Sequence, residues 1–242
     1  MTVSTEWKTV RVSDHGDMRV FIAKPQGAKT PLPAVLVLQE GFGVNAHIRD
    51  VAQRIAALGF VAVAPELFHR TAPGFEAGYD GDMQDVMKNY QAVTDAGLEA
   101  DLRATHDLLA NDMQVDKAHI GAVGFCMGGR AAFLANAILP LACAVSYYGG
   151  GIAELPLSRT WDQHGPILLF WGGKDAHIET KQHSATVNAL RQTGKSFINV
   201  EFSNAEHGFF CDERKSYDPA AASESWALMT AFFERHLKVR NG

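Results

Sequence analysis

The centre of the chain reads Gly121-Ala122-Val123-Gly124-Phe125-Cys126-Met127-Gly128-Gly129. A β-prone run, 120–125, ends directly before Cys126, and an Ala-rich segment of helical character, 130–138, follows it. Glycines stand two residues before and two residues after the cysteine. This is the pattern of a nucleophile elbow, a sharp strand-to-helix turn, with cysteine at the nucleophile position. Such a turn lifts the side chain above the sheet, where N–H groups of the helix start face it. The same pattern also fits a buried cysteine in a Gly-rich packing turn.

The composition predicts one globular domain over residues 1–242. Apolar residues make up 47% of the 242 residues and charged residues 20%, which is enough for one large α/β core. The formal net charge of −5 gives no basic surface for nucleic acid or for a membrane. No apolar run approaches the roughly 18–20 residues of a membrane span.

The cysteines and the N-terminus bear on the cellular compartment. Three cysteines (126, 143 and 211) are too few for a disulfide framework, and residues 1–8 lack the basic and apolar blocks of a signal peptide. We therefore expect a reducing, cytoplasmic location. The sequence has no CxxC or HExxH string, so we expect no metal site.

Strand-like and helix-like segments alternate along the chain. An antiparallel hairpin is predicted over 8–13 and 18–24, around the turn-forming residues 14–17. Further strands are predicted over 34–38, 60–64, 120–125, 142–148, 166–171 and 198–202, and helices over 44–58, 98–109, 130–138, 178–192 and 219–237. Residues 66–94 are predicted to form an irregular cap or loop with one short helix. The alternation predicts a three-layer α/β sandwich with a mostly parallel sheet and an N-terminal antiparallel hairpin.

Four chemically capable residues follow predicted strands. Ligands of open parallel sheets bind beyond the carboxyl ends of the strands. Glu40 follows the first buried strand, Cys126 the elbow strand, Asp175 the strand 166–171, and His207 the last strand. The order along the chain is nucleophile, acid and base, as in the hydrolases that carry this elbow.

The chemistry of a cysteine nucleophile explains why these residue types belong together. Only the thiolate attacks, and a free thiol titrates near ~8.5. An imidazole can hold the thiol proton and return it to the leaving group, while a carboxylate fixes the ring and its tautomer. Taken alone, Asp175 fits a turn former, His207 a packing residue and Glu40 a solvated carboxylate. Their common placement at strand ends favours a site.

Six stretches resemble one family. The sequence is similar to the dienelactone hydrolase (carboxymethylenebutenolidase-like) family of α/β-hydrolases, over about 35 to 210 of the chain. The stretches that carry the resemblance are 38–45, 64–68 with 72–74, 124–129, 147–149, 172–175 and 207–209. The resemblance implies a single α/β-hydrolase-type domain that needs no cofactor and hydrolyses a lactone through a thioester acyl-enzyme.

The resemblance also assigns roles. It implies that Cys126 is the nucleophile, His207 the base and Asp175 the acid that orients His207. Glu40 corresponds to an extra carboxylate that takes the thiol proton when substrate binds, so that the reactive thiolate forms only when needed. The backbone N–H groups of Met127 and Gly41 correspond to the oxyanion donors.

The sequence departs from the family where two arginines usually hold a substrate carboxylate. Cys211 stands at one of these positions, and the segment 75–85, which supplies the other, contains no arginine. Because a guanidinium binds a carboxylate with two parallel hydrogen bonds, its loss changes recognition. We therefore expect that the substrate does not carry its carboxylate in the usual place. The candidate pocket residues are Phe42, Arg70, Tyr90 and Tyr148.

Two other functions remain open from the sequence. The first is a redox-sensing thiol protein, which needs a resolving cysteine near Cys126. The second is an amidotransferase-like elbow protein, in which the acid stands at a different position along the chain from that of Asp175. The leading hypothesis is a cysteine-dependent hydrolase of a small-molecule lactone or ester. We expect neither nucleic acid nor membrane as a partner, and a monomer, with a dimer as the alternative.

Overall fold

The computed structural model describes residues 1–28, 31–155 and 157–238. These residues form an α/β fold with an eight-stranded mixed sheet. The strands are β1 (Val3–Val12), β2 (Gly16–Pro25), β3 (Leu32–Leu38), β4 (Val61–Pro65), β5 (Val115–Phe125), β6 (Cys143–Tyr147), β7 (Ile167–Gly172) and β8 (Phe197–Phe202). The helices are α1 (Ala46–Ala57), α2 (Met83–Ala92), α3 (Asp95–Ala110), α4 (Met127–Ile138), α5 (Leu157–Trp161), α6 (Thr180–Thr193) and α7 (Pro219–Leu237), with a short 3₁₀ helix at Ile152–Glu154.

The chain divides into two compact units, with the boundary between Ile120 and Gly121. In the first unit β1 and β2 form the predicted antiparallel hairpin, in which Val12 is paired with Gly16. Gly16 has a φ of 73°, a left-handed conformation that glycine adopts at little cost. β4 pairs antiparallel with β2 and parallel with β3, so the strand order here is β1-β2-β4-β3. The prediction of one domain over residues 1–242 stays a prediction.

Helices of the first unit begin at side-chain caps. Asn45 caps α1 by accepting a hydrogen bond from the Ile48 N–H at 3.2 Å. This cap explains why the helix predicted over 44–58 begins two residues later than expected. The segment predicted as a cap or loop contains the expected short helix, α2, of which only Val86 and Asn89 are buried. α2 therefore rests on the unit by one narrow face.

All strand pairs of the second unit are parallel, in the order β5-β6-β7-β8. Every residue of β6 and β7 is buried, as their continuous apolar runs predict. β8 is only partly covered, as expected of an edge strand. Phe125 pairs with Tyr147, and Tyr147 with Phe170, so these strands end at a common edge. The predicted mostly parallel sheet with its N-terminal hairpin is thus confirmed.

Most helices of the second unit match the predictions. α4 buries every residue except Arg130, α6 ends at Gly194 in the left-handed conformation, and Pro219 begins α7 after the cap Asp218. The 3₁₀ helix and α5 were not predicted, because neither is long enough to show a helical period. Within the part of the chain that the structure describes, no helix has both the length and the apolar character needed to cross a bilayer.

Candidate active site

The predicted elbow is present at the junction of β5 and α4. Cys126 has φ 55° and ψ −116°, a conformation that costs a non-glycine residue about 1–3 kcal/mol. The Cys126 N–H donates to the Tyr147 carbonyl at 3.0 Å, and the Cys126 carbonyl accepts from the Gly129 N–H at 2.9 Å. These hydrogen bonds hold the strained residue between β6 and the first turn of α4.

The glycines on either side of Cys126 are required by close backbone contacts. A Cβ at Gly124 would lie 1.8 Å from the Gly128 carbonyl oxygen, and a Cβ at Gly129 would lie 2.6 Å from the Tyr147 carbonyl oxygen. Neither position has room for a side chain. Gly124, one of the two glycines that predicted the elbow, therefore has a steric basis in the turn itself.

Three of the four predicted polar residues meet in the second unit. His207 follows β8, is 8% exposed, and its Nδ1 lies 2.7 Å from Asp175 Oδ2. Its side chain also forms a hydrogen bond with Cys126. The ring thus lies between a carboxyl group and a sulfur, as a nucleophile, a base and an orienting acid would be arranged.

Both carboxyl oxygens of Asp175 accept hydrogen bonds. Oδ1 accepts from the backbone N–H groups of His177 at 2.8 Å and Ile178 at 3.0 Å, while Oδ2 faces His207. Burial alone would raise the pKa of Asp175, but the hydrogen bond and charge of His207 and the two backbone donors lower it below its usual value. The carboxyl group is therefore ionised at neutral pH, and its orientation is fixed.

Opposing effects act on the pKa of His207. Burial lowers the pKa of the imidazole, but the charge of Cys126 and the hydrogen bonds with Asp175 and Cys126 together raise it to about 10. The imidazolium is therefore the favoured state of His207 at neutral pH. In that state both ring nitrogens of His207 carry protons.

Aromatic side chains flank the His207 ring. The buried Tyr148, a predicted pocket residue, packs edge-to-face against it at a centroid distance of 5.0 Å and has a φ of 36°. The exposed ring of His177 lies 4.9 Å from it. The sequence analysis missed His177, although its position two residues after Asp175 placed it in the same turn.

The three cysteines differ in exposure. Cys126 is half-buried, whereas Cys143 and Cys211 are fully buried. Burial raises the pKa of the Cys143 thiol far above its usual value, so it stays protonated. Of the three thiols, only that of Cys126 combines exposure with an imidazole partner.

Glu40 and Phe42 lie in the first unit, just after β3. Glu40 is fully buried, and its Oε2 accepts a hydrogen bond from the Tyr79 hydroxyl at 2.9 Å. The ring of Phe42 packs against that of Tyr79 at 4.5 Å. Gly41 lies between Glu40 and Phe42, and a Cβ at Gly41 would lie 3.4 Å from a methyl group of Val86. The helix α2 therefore covers the backbone at Gly41. The sequence analysis missed Tyr79, which lies in an irregular segment without a recognisable pattern.

The remaining predicted pocket residues of the first unit have other neighbours. The Arg70 guanidinium lies 2.7 Å from Asp14 Oδ1 and 2.7 Å from Asp101 Oδ2, and Asp101 Oδ1 lies 2.9 Å from His69 Nε2. Arg70 is therefore paired with carboxylates of its own unit. Tyr90 lies on α2 and is 40% exposed. A role in substrate binding stays a prediction for both residues.

Known proteins are similar to this chain over most of its length. A model of the dienelactone hydrolase family matches residues 18–237. A relative from Synechocystis sp. named "Putative carboxymethylenebutenolidase" is 34% identical over 247 residues, which cover 98% of this chain and 100% of the relative. A protein of the same name from Escherichia coli K12 is 31% identical, over 93% of this chain and 85% of the relative.

Solved structures are similar over nearly the whole chain. A crystal structure named "Putative Dienelactone Hydrolase from Klebsiella pneumoniae" superposes with a TM-score of 0.88 at 31% identity, covering 97% of this chain and 100% of that one. A thermophilic esterase from Thermogutta terrifontis has a TM-score of 0.71 at 20% identity, covering 98% of this chain and 97% of its own, and shows the fold alone. From the family match and the identity to full-length relatives, the chain belongs to the dienelactone hydrolase family.

Proposed function

We propose that this chain is a cysteine-dependent hydrolase of a small-molecule lactone or ester. The observation that carries the proposal is the His207 imidazole, held 2.7 Å from Asp175 and hydrogen-bonded to a cysteine in a strained elbow. A purely structural cysteine gains nothing from that strain or from that partner. The names of the relatives point to lactones, which are cyclic esters.

The acylation step uses the Cys126–His207 pair. The Cys126 sulfur attacks the carbonyl carbon, so a C–S bond forms and the carbonyl oxygen becomes an oxyanion. When the oxyanion collapses, the C–O bond of the ester or lactone breaks, and imidazolium His207 gives its proton to the departing oxygen. The products are a thioester on Cys126 and a neutral His207, whose orientation Asp175 maintains.

Deacylation reverses the proton flow. Neutral His207 takes a proton from water, and the resulting hydroxide attacks the thioester carbonyl. The C–S bond then breaks, which returns the Cys126 thiolate beside a protonated His207 and releases a carboxylic acid. The hydrogen bond with Asp175, which also raises the pKa of His207, remains in the acyl-enzyme and keeps the ring basic for this step.

Three further roles belong to the proposal. The N–H of Met127, the first residue of α4, has no acceptor within its own helix and suits an oxyanion donor, with the N–H of Gly41 as the second donor. Glu40 is proposed to take the thiol proton before the thiolate–imidazolium pair forms. Its burial at the end of β3 and the family resemblance support that role.

Removal of the sulfur tests the proposal. Cys126→Ala should abolish hydrolysis of activated aryl esters and lactones while the fold persists, and wild-type protein should show an acyl adduct on Cys126 by mass spectrometry. Cys143→Ala is the matched control, because the same atom is removed from a fully buried thiol outside the site. Full activity of Cys126→Ala would refute the mechanism. Reversible peroxide oxidation of Cys126 without any esterase activity would instead favour the redox-sensing function.

A further inference from the structure

A chain of three polar side chains ends at the Glu40 carboxylate. The Asn45 side-chain amide lies 3.1 Å from the Tyr79 hydroxyl oxygen, and that hydroxyl lies 2.9 Å from Glu40 Oε2. Asn45 is 5% exposed and Glu40 is fully buried, so these hydrogen bonds lie in a poorly hydrated environment. There a hydrogen bond to a charged group is stronger than at the surface.

The direction of this chain of hydrogen bonds follows from the helix cap. Asn45 Oδ1 accepts from the Ile48 N–H at 3.2 Å, which places the amide nitrogen on the other side. That nitrogen donates to the Ala77 carbonyl at 3.3 Å and to the Tyr79 oxygen. Since Tyr79 accepts from Asn45, its own single proton is directed to Glu40.

Backbone contacts hold Tyr79 in place. The Ala77 N–H donates to the Phe42 carbonyl at 3.0 Å, and Gly43 forms an isolated bridge with Glu76. A Cβ at Gly43 would lie 1.9 Å from the Phe75 carbonyl oxygen. The backbones at Gly43 and Phe75 are therefore too close together for a side chain at position 43. The tyrosine is thus fixed on the strand end that carries Glu40.

We propose that Tyr79 is a positioning residue that presents Glu40 as a proton acceptor. The inference rests on the proposed function, in which Glu40 takes the thiol proton. In that function the thiol S–H bond breaks and a new O–H bond forms on the Glu40 carboxylate, while Tyr79, whose hydroxyl donates to Oε2, keeps its own proton. The hydroxyl holds the carboxylate in one orientation, and this orienting effect is the role of Tyr79.

Tyr79→Phe removes only the hydroxyl oxygen and keeps the ring on Phe42. We expect the single-turnover acylation rate to fall about tenfold, because the carboxylate is no longer held in the geometry of proton transfer, with KM within about twofold of wild type. Tyr217→Phe is the matched control, since its ring is 39% exposed and lies outside the site. Glu40→Gln alone should slow acylation further.

The double variant separates positioning from a general structural role. In a Glu40→Gln background, Tyr79→Phe should slow acylation by less than about twofold, because the carboxylate that it serves is gone. Asn45→Asp, which keeps the cap acceptor but diverts the tyrosine proton from Glu40, should resemble Tyr79→Phe.

Each remaining outcome is decisive. A wild-type rate for Tyr79→Phe beside a slow Glu40→Gln would overturn the inference and leave the proposed function intact. Equal slowing by Tyr79→Phe in both backgrounds would also overturn it, because Tyr79 would then act without Glu40. Full activity of Cys126→Ala would remove the proposed function and this inference together.

Discussion

Asp175→Asn should uncouple His207 from its orienting acid without disturbing the loop. Asparagine keeps an oxygen that can accept from the His177 and Ile178 N–H groups, but it presents an NH₂ group to His207 Nδ1. The change removes a charge-assisted hydrogen bond worth about 1.5–3 kcal/mol, which makes loss of the imidazolium proton about ten- to hundredfold easier. It also stabilises the wrong ring tautomer, for which a serine-protease precedent gives a loss of about 10⁴ in kcat.

The pH dependence of stability gives a second readout of the same pair. A group with a raised pKa in the folded state stabilises the fold fully below its unfolded pKa, about 6.5 for His, and loses that contribution as the pH rises through the folded pKa. For His207 the contribution should therefore disappear as the pH approaches about 10. In Asp175→Asn the decline should begin at the same pH, since the unfolded pKa is unchanged, but it should end at a lower pH and have a smaller total amplitude.

Ring NMR titration of His207, denaturant unfolding from pH 6 to 10 and ester hydrolysis measure these effects on one set of samples. Asp162→Asn is the control, because Asp162 is an exposed carboxyl group outside the site. An unchanged His207 titration in Asp175→Asn, or hydrolysis within about tenfold of wild type, would show that Asp175 does not hold the imidazolium as described.

Two further predictions concern the fold that supports the site. Gly124→Ala places a Cβ 1.8 Å from a backbone carbonyl oxygen and should lower the free energy of unfolding by at least about 3 kcal/mol, whereas Gly78→Ala, with nothing within 4 Å, should be nearly neutral. Equal melting temperatures of these two variants would contradict the steric account of the elbow. Asp101→Asn removes a buried carboxylate that pairs with Arg70 and His69, and denaturant titration should show a loss of about 3–5 kcal/mol. A loss below about 1 kcal/mol would mean that this cluster is as weak as a surface pair.

The features that are easiest to predict from this sequence follow general rules of protein structure. Cys126, Asp175 and His207 were predicted to lie together because parallel strands end at one edge, and the second unit has that geometry. The elbow was predictable because its glycines are imposed by local contacts. The helices predicted over 178–192 and 219–237 also have local end signals, since Gly194 and Asp218 cap them.

The parts that were missed depend on tertiary contacts or on short segments. β5 begins at Val115, five residues before the predicted strand, because Asp116, Lys117 and His119 interrupt the apolar pattern there. α5 is only five residues long and has no period to recognise. Tyr79 lies in an irregular segment, and only the folded Asn45 cap reveals its partner. Arg70 was considered as a pocket cation, but its ion pairs with Asp14 and Asp101 depend on residues distant in sequence.

The contrast among the three thiols has a practical consequence. Cys143 and Cys211 are inaccessible in the folded chain, whereas Cys126 is partly exposed. A maleimide fluorophore or spin label applied to the native protein should therefore attach at a single position without prior removal of other cysteines. The unmodified chain can thus serve directly in spectroscopic work, with the probe reporting from the elbow itself.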